Sequence, residues 1–265
     1  MAKKRLDILI HELGMADTLS KAKAIIMSGI AFVDGQKLDK PGTMIDVNSK
    51  IEVRDNAKKY VSRGGYKLEK ALEVFGIDPS EKICIDCGAS TGGFTDVLLK
   101  RGAKRVYAVD VGYGLLDWSI RKSEKVTIME RTNVRYLKPE DFEYRPSIAV
   151  FDLSFISLQL VLKPVSEIVS DDANFICLLK PQFESEKADV GSNGIIKDPL
   201  IHEKVLYEFI HFAKSSGFTV RGITHSPITG TQGNIEFLVN VVKGSGTSSL
   251  IDIKAVVACA HEELS

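Results

Sequence analysis

A helical pattern of apolar residues opens the chain. Its members are Leu6, Leu9, Ile10 and Leu13. Because residues at this spacing share one side of a helix, the pattern predicts an amphipathic helix that packs on a small core. Gly14 follows the last of them, where a helix can end.

A second helix and a small antiparallel sheet are predicted next. The helix begins after residues 18–20, and Gly29 ends it. A strand over 30–33 runs into Asp34-Gly35, which is typical of a hairpin turn, and residues 51–53 alternate like a last short strand. This part of the chain therefore predicts a small α+β module.

From residue 62 onward, strand patterns alternate with helical ones, which indicates an α/β domain. The predicted strands are 83–87, 105–110, 126–130, 148–153 and 174–179. The predicted helices are 66–75, 94–101, 115–122, 158–169 and 199–215. Two last strands, 218–224 and 235–242, flank a turn at 230–234 and favour an antiparallel hairpin. The fold class is therefore α/β, a Rossmann-like sheet with the layout of S-adenosylmethionine methyltransferases and a small α+β domain at the N-terminus.

These patterns divide the chain into four segments. We predict a small α+β domain over 1–56, a linker over 57–61, an α/β domain over 62–243 and a tail over 244–265. Residues 244–249 are rich in Gly and Ser and predict a flexible connection, and the last sixteen residues predict a short amphipathic helix.

The composition is that of a soluble globular protein. Of 265 residues, 44% are apolar and 26% charged, which excludes wholesale disorder. No apolar run approaches the roughly 20 residues of a membrane span, and no apolar signal core follows the basic start. The four cysteines, without export, are expected to be reduced, so we expect a cytoplasmic protein.

Positive charge is concentrated at the start of the chain. Residues 1–70 carry 14 Lys and Arg against 9 Asp and Glu, although the whole chain is neutral. Such a basic segment is a candidate contact for a polyanion, and a solvated basic surface is the alternative. The candidate RNA-binding residues are Lys3, Lys4, Arg5, Lys21, Lys23, Lys37 and Arg63.

A glycine-rich loop after the strand 83–87 is the best-defined motif. The strand delivers Asp86, and glycines and a predicted helix start follow. A nicotinamide loop would have a second glycine at the position of Ser90. We predict instead that Asp86 lies near the ammonium of S-adenosylmethionine and that loop amides bind its carboxylate. The predicted cofactor residues are Asp86, Gly88, Ser90, Thr91, Gly92, Gly93, Phe94, Asp110, Val111, Asn133 and Asp152.

Two of these residues follow later strands. Asp110 ends the second strand, at the place expected for an acid that binds a cofactor ribose, and a strand-end cap is the alternative. Asn133 follows the third strand and is a candidate adenine contact, with a turn-forming Asn as the competing interpretation.

Neither the cysteines nor the histidines predict a catalytic metal. Cys84 and Cys87 have the spacing of a redox or metal pair, but no second pair follows, which favours core packing. The five histidines form no ligand cluster in the sequence.

Four charged residues lie where strand ends or helix starts meet the edge of a sheet at which ligands bind. Asp152 and Lys180 follow apolar strands, Glu236 begins the last strand, and Lys67 opens the helix after the bend 62–65. Such residues form either a structural ion-pair network or a catalytic site.

The motifs together resemble a known family. Residues 20–35 are similar to the RNA-binding module of ribosomal small-subunit protein four. Lys67, Asp152, Lys180 and Glu236 resemble the Lys-Asp-Lys-Glu tetrad of FtsJ/RrmJ-type RNA 2′-O-ribose methyltransferases. With the basic module in front, the chain resembles the TlyA family, also called hemolysin A.

The resemblance implies a function. It implies S-adenosylmethionine as cofactor, ribosomal RNA or ribosomal subunits as partner, and a ribose 2′-hydroxyl, with cytidine favoured, as the group methylated. Lys180 is expected to act as general base or to stabilise the alkoxide, with Lys67, Asp152 and Glu236 around it. Three alternatives remain: a membrane-active hemolysin, an RNA-binding protein without activity, and a nicotinamide oxidoreductase, which Ser90 disfavours.

Overall fold

The computed structural model describes residues 3–27, 29–53, 59–191, 193–244, 246 and 250–264. By its internal contacts the chain divides into two compact units, one ending at Lys59 and the other starting at Tyr60. This division falls inside the predicted linker 57–61, of which residues 57 and 58 lie outside the described residues.

The first unit has the predicted helices and hairpin. Its elements are β1 (Lys3–Arg5), α1 (Leu6–Glu12), α2 (Leu19–Met27), β2 (Ala31–Val33), β3 (Gln36–Leu38), β4 (Met44–Asp46) and β5 (Ile51–Val53). Strand β2 pairs antiparallel with both β3 and β5. Gly14 and Gly29 adopt φ of 70° and 72° at the helix ends, a conformation that favours glycine. Leu6, Ile10 and Ile26 are fully buried in this unit's core.

The pairing of β1 with β4 is not predicted from the sequence. Lys3 lies opposite Asp46 and Arg5 opposite Met44. Strand β1 consists of charged residues and therefore lacks the apolar alternation by which strands are recognised. Backbone hydrogen bonds rather than side-chain burial hold it in place.

The second unit contains the larger sheet and its helices. Its strands are β6 (Ile83–Cys87), β7 (Arg105–Val109), β8 (Val126–Met129), β9 (Ile148–Phe151), β10 (Asn174–Leu179), β11 (Phe218–His225) and β12 (Phe237–Lys243). Its α-helices are α3 (Gly64–Phe75), α4 (Gly93–Lys100), α5 (Trp118–Arg121), α6 (Leu162–Ile168), α7 (Pro181–Glu184), α8 (Pro199–Ser215) and α9 (Ile253–Leu264). Short 3₁₀ helices lie at Val134–Tyr136, Pro139–Asp141, Leu158–Leu160 and Thr231–Gly233.

The predicted sheet is confirmed. Its seven strands lie in the order β11-β12-β10-β9-β6-β7-β8. The neighbours from β8 to β10 pair in parallel, and β12 lies antiparallel between β10 and β11. The carboxyl ends of five parallel strands therefore meet at one edge, where they position the charged residues described below.

Helices cover both faces of this sheet. On one face α6, α8 and α9 pack on side chains that include Cys87, and on the other α3 and α4 pack on side chains that include Cys84. The two cysteines point to opposite faces because they are three residues apart in a strand. The prediction that they pack in the core is confirmed.

Two predicted helices are shorter than expected. Instead of 115–122, α5 begins at Trp118, because the Asp117 carboxylate accepts a hydrogen bond from the Ser119 amide and caps the helix there. Instead of one helix over 158–169, a 3₁₀ turn precedes α6, which begins at Leu162. A continuous helix would need an amide hydrogen at Pro164, which proline lacks.

The predicted tail contributes to the core. The helix expected near the end is α9, whose residues Ile253, Val257 and Ala260 are buried in the same apolar cluster as the sheet. Of the predicted flexible connection, residues 245 and 247–249 lie outside the described residues.

A histidine pair joins α9 to α8. His202 Nδ1 and His261 Nε2 lie 3.0 Å apart, and His202 is fully buried. Burial, with a smaller contribution from His261, lowers the pKa of His202 to about 4. In an unfolded chain a histidine has a pKa of about 6.5. Between about pH 6.5 and 4 the unfolded state therefore binds a proton at His202 that the folded state does not bind.

We therefore expect the free energy of unfolding to fall as the pH drops from about 6.5 to about 4. His202→Leu should reduce this loss by roughly 1–3 kcal/mol. Urea unfolding at several pH values measures the free energy of unfolding of both proteins, and a variant of the exposed His211 on the same helix, His211→Leu, is the control. Equal pH slopes for wild type and His202→Leu would contradict the assignment.

Candidate active site

Two ion pairs lie at the edge formed by the strand ends. Lys67 Nζ lies 2.5 Å from Glu236 Oε2, and Lys180 Nζ lies 2.7 Å from Asp152 Oδ1. Lys67, Lys180 and Glu236 are only 8%, 8% and 2% exposed. The four charged residues singled out in the sequence are thus brought together from a helix, two strand ends and the start of the last strand.

Burial is the dominant electrostatic influence on Glu236. It raises the pKa of this carboxyl, while Lys67, and to a smaller degree Lys180, acts to lower it. Asp152 acts in the same direction as burial. The two pairs are therefore close enough to influence each other, and removing one lysine would leave a buried charge without compensation.

Glycines allow the backbone to approach these carboxylates. A Cβ at Gly230 would overlap the Glu236 carboxylate. A Cβ at Gly88, which has a φ of 92°, would lie 2.6 Å from the Asp152 carbonyl oxygen. Replacing either glycine would displace one of the acids.

Two glycines of the loop are in close contact with other parts of the chain. A Cβ at Gly93 would overlap Ser62 Oγ and lie 3.1 Å from the Gly65 nitrogen. A Cβ at Gly92 would lie 3.1 Å from the Ile120 side chain and 3.2 Å from that of Leu116. Both contacts depend on tertiary neighbours that sequence spacing does not reveal.

The amides of the loop are mostly engaged within the protein. Those of Gly88 and Ala89 donate to the Val109 carbonyl, and that of Ser90 donates to Asp110 Oδ2 at 2.7 Å. These amides are therefore not available for a ligand carboxylate, contrary to the expectation for the loop as a whole. Helix α4 follows the loop, and its cap residue, Gly92, has no side chain that could accept a hydrogen bond from the amides of the first turn.

Asp86 lies behind the loop and is fully buried. Its Oδ2 accepts a hydrogen bond of 2.6 Å from Thr95 Oγ1, while its Oδ1 has no partner among the described residues. Burial raises the pKa of Asp86 to about 7, although the hydrogen bond from Thr95 acts to lower it. An opposite charge beside this carboxyl would favour its ionised form.

A cavity of about 530 Å³ opens beside the loop. Its wall includes Asp110 and Asn133 together with Val111, Ser90 and Gly88. The Asp110 carboxylate accepts hydrogen bonds from the amides of Ser90 and Gly112, both at 2.7 Å. It therefore shapes the loop as well as lining the cavity.

Asn133 also has a structural role. Its Oδ1 accepts hydrogen bonds from the Arg135 backbone amide at 3.1 Å and from Arg135 Nε at 3.3 Å. It thereby caps the 3₁₀ helix that follows. The turn-forming role weighed from the sequence is present, and the residue lines the cavity as well.

A smaller cavity of about 250 Å³ adjoins the first one through Gly88, Ser90 and Asp152. Arg63 and Lys67 line it. Its wall further includes Ser62, Gly64, Ala89, Thr91, Gly93 and Phe94. The bend at 62–65 thus contributes to the site directly.

Two polar residues of the site were missed in the sequence. Ser154 Oγ accepts a hydrogen bond of 3.0 Å from Lys180 Nζ. Glu184 accepts hydrogen bonds from Ser157 Oγ at 2.5 Å and from the Leu158 amide at 2.7 Å, and so joins the loop after β10 to the loop after β9. Short polar segments after strands carry no periodic signal, so only the fold reveals these contacts.

The predicted RNA-binding residues fall into two groups. Lys4 pairs with Glu12 at 2.6 Å, Arg5 with Asp7 at 2.7 Å and Lys21 with Asp17 at 2.7 Å. Lys3, Lys23 and Lys37 are exposed, as is Arg63 in the second unit. Acids therefore neutralise part of the predicted basic surface, and the second group carries its exposed positive charge.

The described residues include one group with metal-ligand spacing. Ligand atoms of His225, Cys259 and Glu263 lie within 4.8 Å of one another. Lys70 Nζ lies 2.8 Å from His225 Nε2, where it would compete with a bound cation. None of the predicted site residues belongs to this group.

Comparison with known proteins places this geometry in a family. The model of the FtsJ-like methyltransferase domain matches residues 60–243, and that of the S4 domain matches residues 4–51. The chain belongs to the FtsJ-like methyltransferase family. The resemblance inferred from the motifs is therefore confirmed.

Several relatives match over most of their length. YqxC of Bacillus subtilis is 48% identical over 90% of this chain and 85% of its own. A Mycobacterium tuberculosis protein named 16S/23S rRNA (cytidine-2′-O)-methyltransferase TlyA is 41% identical over 90% of each chain. A solved Streptococcus thermophilus structure is 46% identical, covers 99% of this chain and 97% of its own, and gives a TM-score of 0.76.

Among the described residues, the helices are all too short or too polar to cross a membrane.

The contact between Gly93 and Ser62 gives a prediction about the site's framework. Gly93→Ala should lower the free energy of unfolding by roughly 1–3 kcal/mol, because the added methyl group overlaps Ser62 Oγ. Ser62→Ala in the same chain should recover part of this loss, while Ser62→Ala alone should have a small effect. Denaturant unfolding of the double-mutant cycle measures the coupling, and strictly additive effects would disprove the contact.

Proposed function

We propose that this protein transfers a methyl group from S-adenosylmethionine to a ribose 2′-hydroxyl, of cytidine, in ribosomal RNA. The observation that carries the proposal is the buried ion pair Lys67–Glu236 and the partly buried ion pair Lys180–Asp152, at the strand ends beside a cavity with an acidic wall. The family and the name of the Mycobacterium relative support the reaction class and the substrate.

The residues fit S-adenosylmethionine. The Asp110 carboxylate lines the 530 Å³ cavity and keeps lone pairs beyond its two amide contacts, as recognition of a ribose requires. The Asp86 carboxyl group lies near the loop, and its Oδ1 has no partner among the described residues. A carboxyl group there suits a ligand that carries an ammonium. We assign Val111 and Asn133 to the adenosine side, and Thr91, Gly93 and Phe94 to the adjoining side of the site.

The chain's own residues would prepare the attacking hydroxyl. When bound, S-adenosylmethionine supplies a sulfonium methyl group. The hydroxyl must lose its proton as its oxygen attacks, and Lys180 Nζ, which is held by Asp152 and Ser154, is the group that would accept this proton. The ammonium formed when Lys180 takes this proton is stabilised by the Asp152 carboxylate, so the pair favours the transition state over the ground state.

The second ion pair supports the first. Lys67 holds the Glu236 carboxylate, and Glu236 in turn lies within electrostatic range of Lys180. We assign Asp152 and Glu236 the orientation of Lys180 and the hydroxyl, and Lys67 the neutralisation of the buried Glu236. Positioning of oxygen, methyl and sulfur in line accounts for the rest of the rate.

Membrane lysis explains less of the structure. A Brachyspira hyodysenteriae relative, 43% identical, is named hemolysin A. Buried lysine–acid pairs at the ligand edge of a methyltransferase sheet have no use in lysis, whereas methyl transfer to a hydroxyl uses each of them.

The main test measures transfer of labelled methyl groups. Purified protein is incubated with labelled S-adenosylmethionine and ribosomal subunits, and digested rRNA is examined for 2′-O-methylcytidine. Lys180→Met should lower kcat by about 100-fold or more while cofactor binding is retained, because the group that accepts the hydroxyl proton is lost.

The exposed Lys163→Met is the matched control and should keep full activity. Tight cofactor binding without transfer to any rRNA would contradict the substrate, and failure to bind S-adenosylmethionine would contradict the reaction.

A second prediction concerns the basic surface. Reversing the exposed charges at Lys23 and Lys37 to Glu should weaken binding of rRNA and make the salt dependence of the affinity less steep, because fewer phosphate counterions are released. Lys4→Glu is the comparison, since Glu12 already neutralises Lys4. Binding titrations at several salt concentrations measure it, and an unchanged slope for the Lys23 and Lys37 variants would place the RNA elsewhere.

A further inference from the structure

A third cavity adjoins the reactive lysine. It encloses about 420 Å³ and is lined on one side by Lys180 and Glu236. Phe155, Phe183 and Val190 supply apolar walls. The cavity thus has the character of a pocket for a flat, partly apolar group next to a charged centre.

Geometry assigns this cavity to the target base, if the proposed function holds. The 2′-oxygen and the base are attached to neighbouring carbons of the same ribose. A hydroxyl that reaches Lys180 therefore brings its base into the space beside that lysine. The 250 Å³ cavity is lined instead by Lys67 and Asp152 and adjoins the cofactor side.

Gln182 lines this pocket, and the proposed mechanism does not use its side-chain amide. It lines the cavity two residues after Lys180, and its Oε1 is buried without a hydrogen-bond partner among the described residues. A buried acceptor without a donor is unfavourable, and its presence is explained when a ligand supplies the donor.

The backbone that carries Gln182 is firmly held. Helix α7 begins at Pro181, and its last residue, Glu184, is bound to Ser157 Oγ and to the Leu158 amide. An amide group on such a segment is preorganised rather than adaptable, which is what discrimination between similar ligands requires.

We propose that Gln182 Oε1 accepts a hydrogen bond from the exocyclic amine of the target base and thereby selects cytosine over uracil. Cytosine presents an N4 amine, which is a donor, where uracil presents the O4 acceptor. Two acceptors facing each other in a buried pocket repel, so a uridine at the target position is rejected. Glu236 and Lys180 act on the ribose of the same nucleotide.

The test compares two substrates that differ in one base. After the methylated nucleotide is mapped, affinity-tagged ribosomal subunits are prepared with C or with U at that position and without the modification. The wild-type enzyme should have a kcat/KM for C at least about 100-fold above that for U. Gln182→Met, which keeps the length of the side chain but has no acceptor, should lower this ratio at least about tenfold, mainly by slowing the reaction with C.

Gln182→Glu is the matched variant, because both of its oxygens accept hydrogen bonds, and it should keep the preference for C. An unchanged ratio in Gln182→Met, or no preference in the wild type, overturns the proposal while leaving the methyltransferase activity standing.

A lost preference in Gln182→Glu also overturns it, since the amide nitrogen would then be the reading group. Thermal melting and cofactor binding establish that each variant is folded. Wild-type enzyme that methylates neither substrate contradicts the proposed function itself.

Discussion

The requirement that buried charges be compensated organises the second unit. Lys67 and Glu236 are separated by 169 positions in the sequence, and each would be costly to bury without the other. Their pairing joins the first helix of this unit to the start of its last strand. Lys180 and Asp152 form the second pair in the same way, from the ends of two adjacent parallel strands. The ligand edge of the sheet is therefore held by the same contacts that carry its chemistry.

Much of this arrangement could be predicted because it follows from periodicity. Alternating strand and helix patterns predict a parallel sheet, and parallel strands place residues such as Asp110, Asp152 and Lys180 at one edge. The absence of a helical pattern before β12 predicts its antiparallel direction. Lys67 and Glu236 lie outside this logic, and their role was predicted through the family resemblance rather than through spacing.

What sequence reasoning could not provide depends on tertiary neighbours. Gly93 is required by the approach of the 62–65 bend, which no local pattern encodes. The loop amides are predicted to bind the cofactor carboxylate, but those of Gly88, Ala89 and Ser90 donate to Val109 and Asp110. Strand β1 lacks apolar residues and is joined to β4 by backbone pairing. In each case the deciding partner comes from elsewhere in the chain, and a single sequence does not identify it.

The position of β12 has a consequence for synthesis. In the described sheet β11 pairs with β12, and β12 separates it from β10. A nascent chain that has emerged only as far as β11 therefore lacks the strand that joins it to the sheet. Glu236 directly precedes that strand, so Lys67 stays without its acid until this late part of the chain has left the exit tunnel as well.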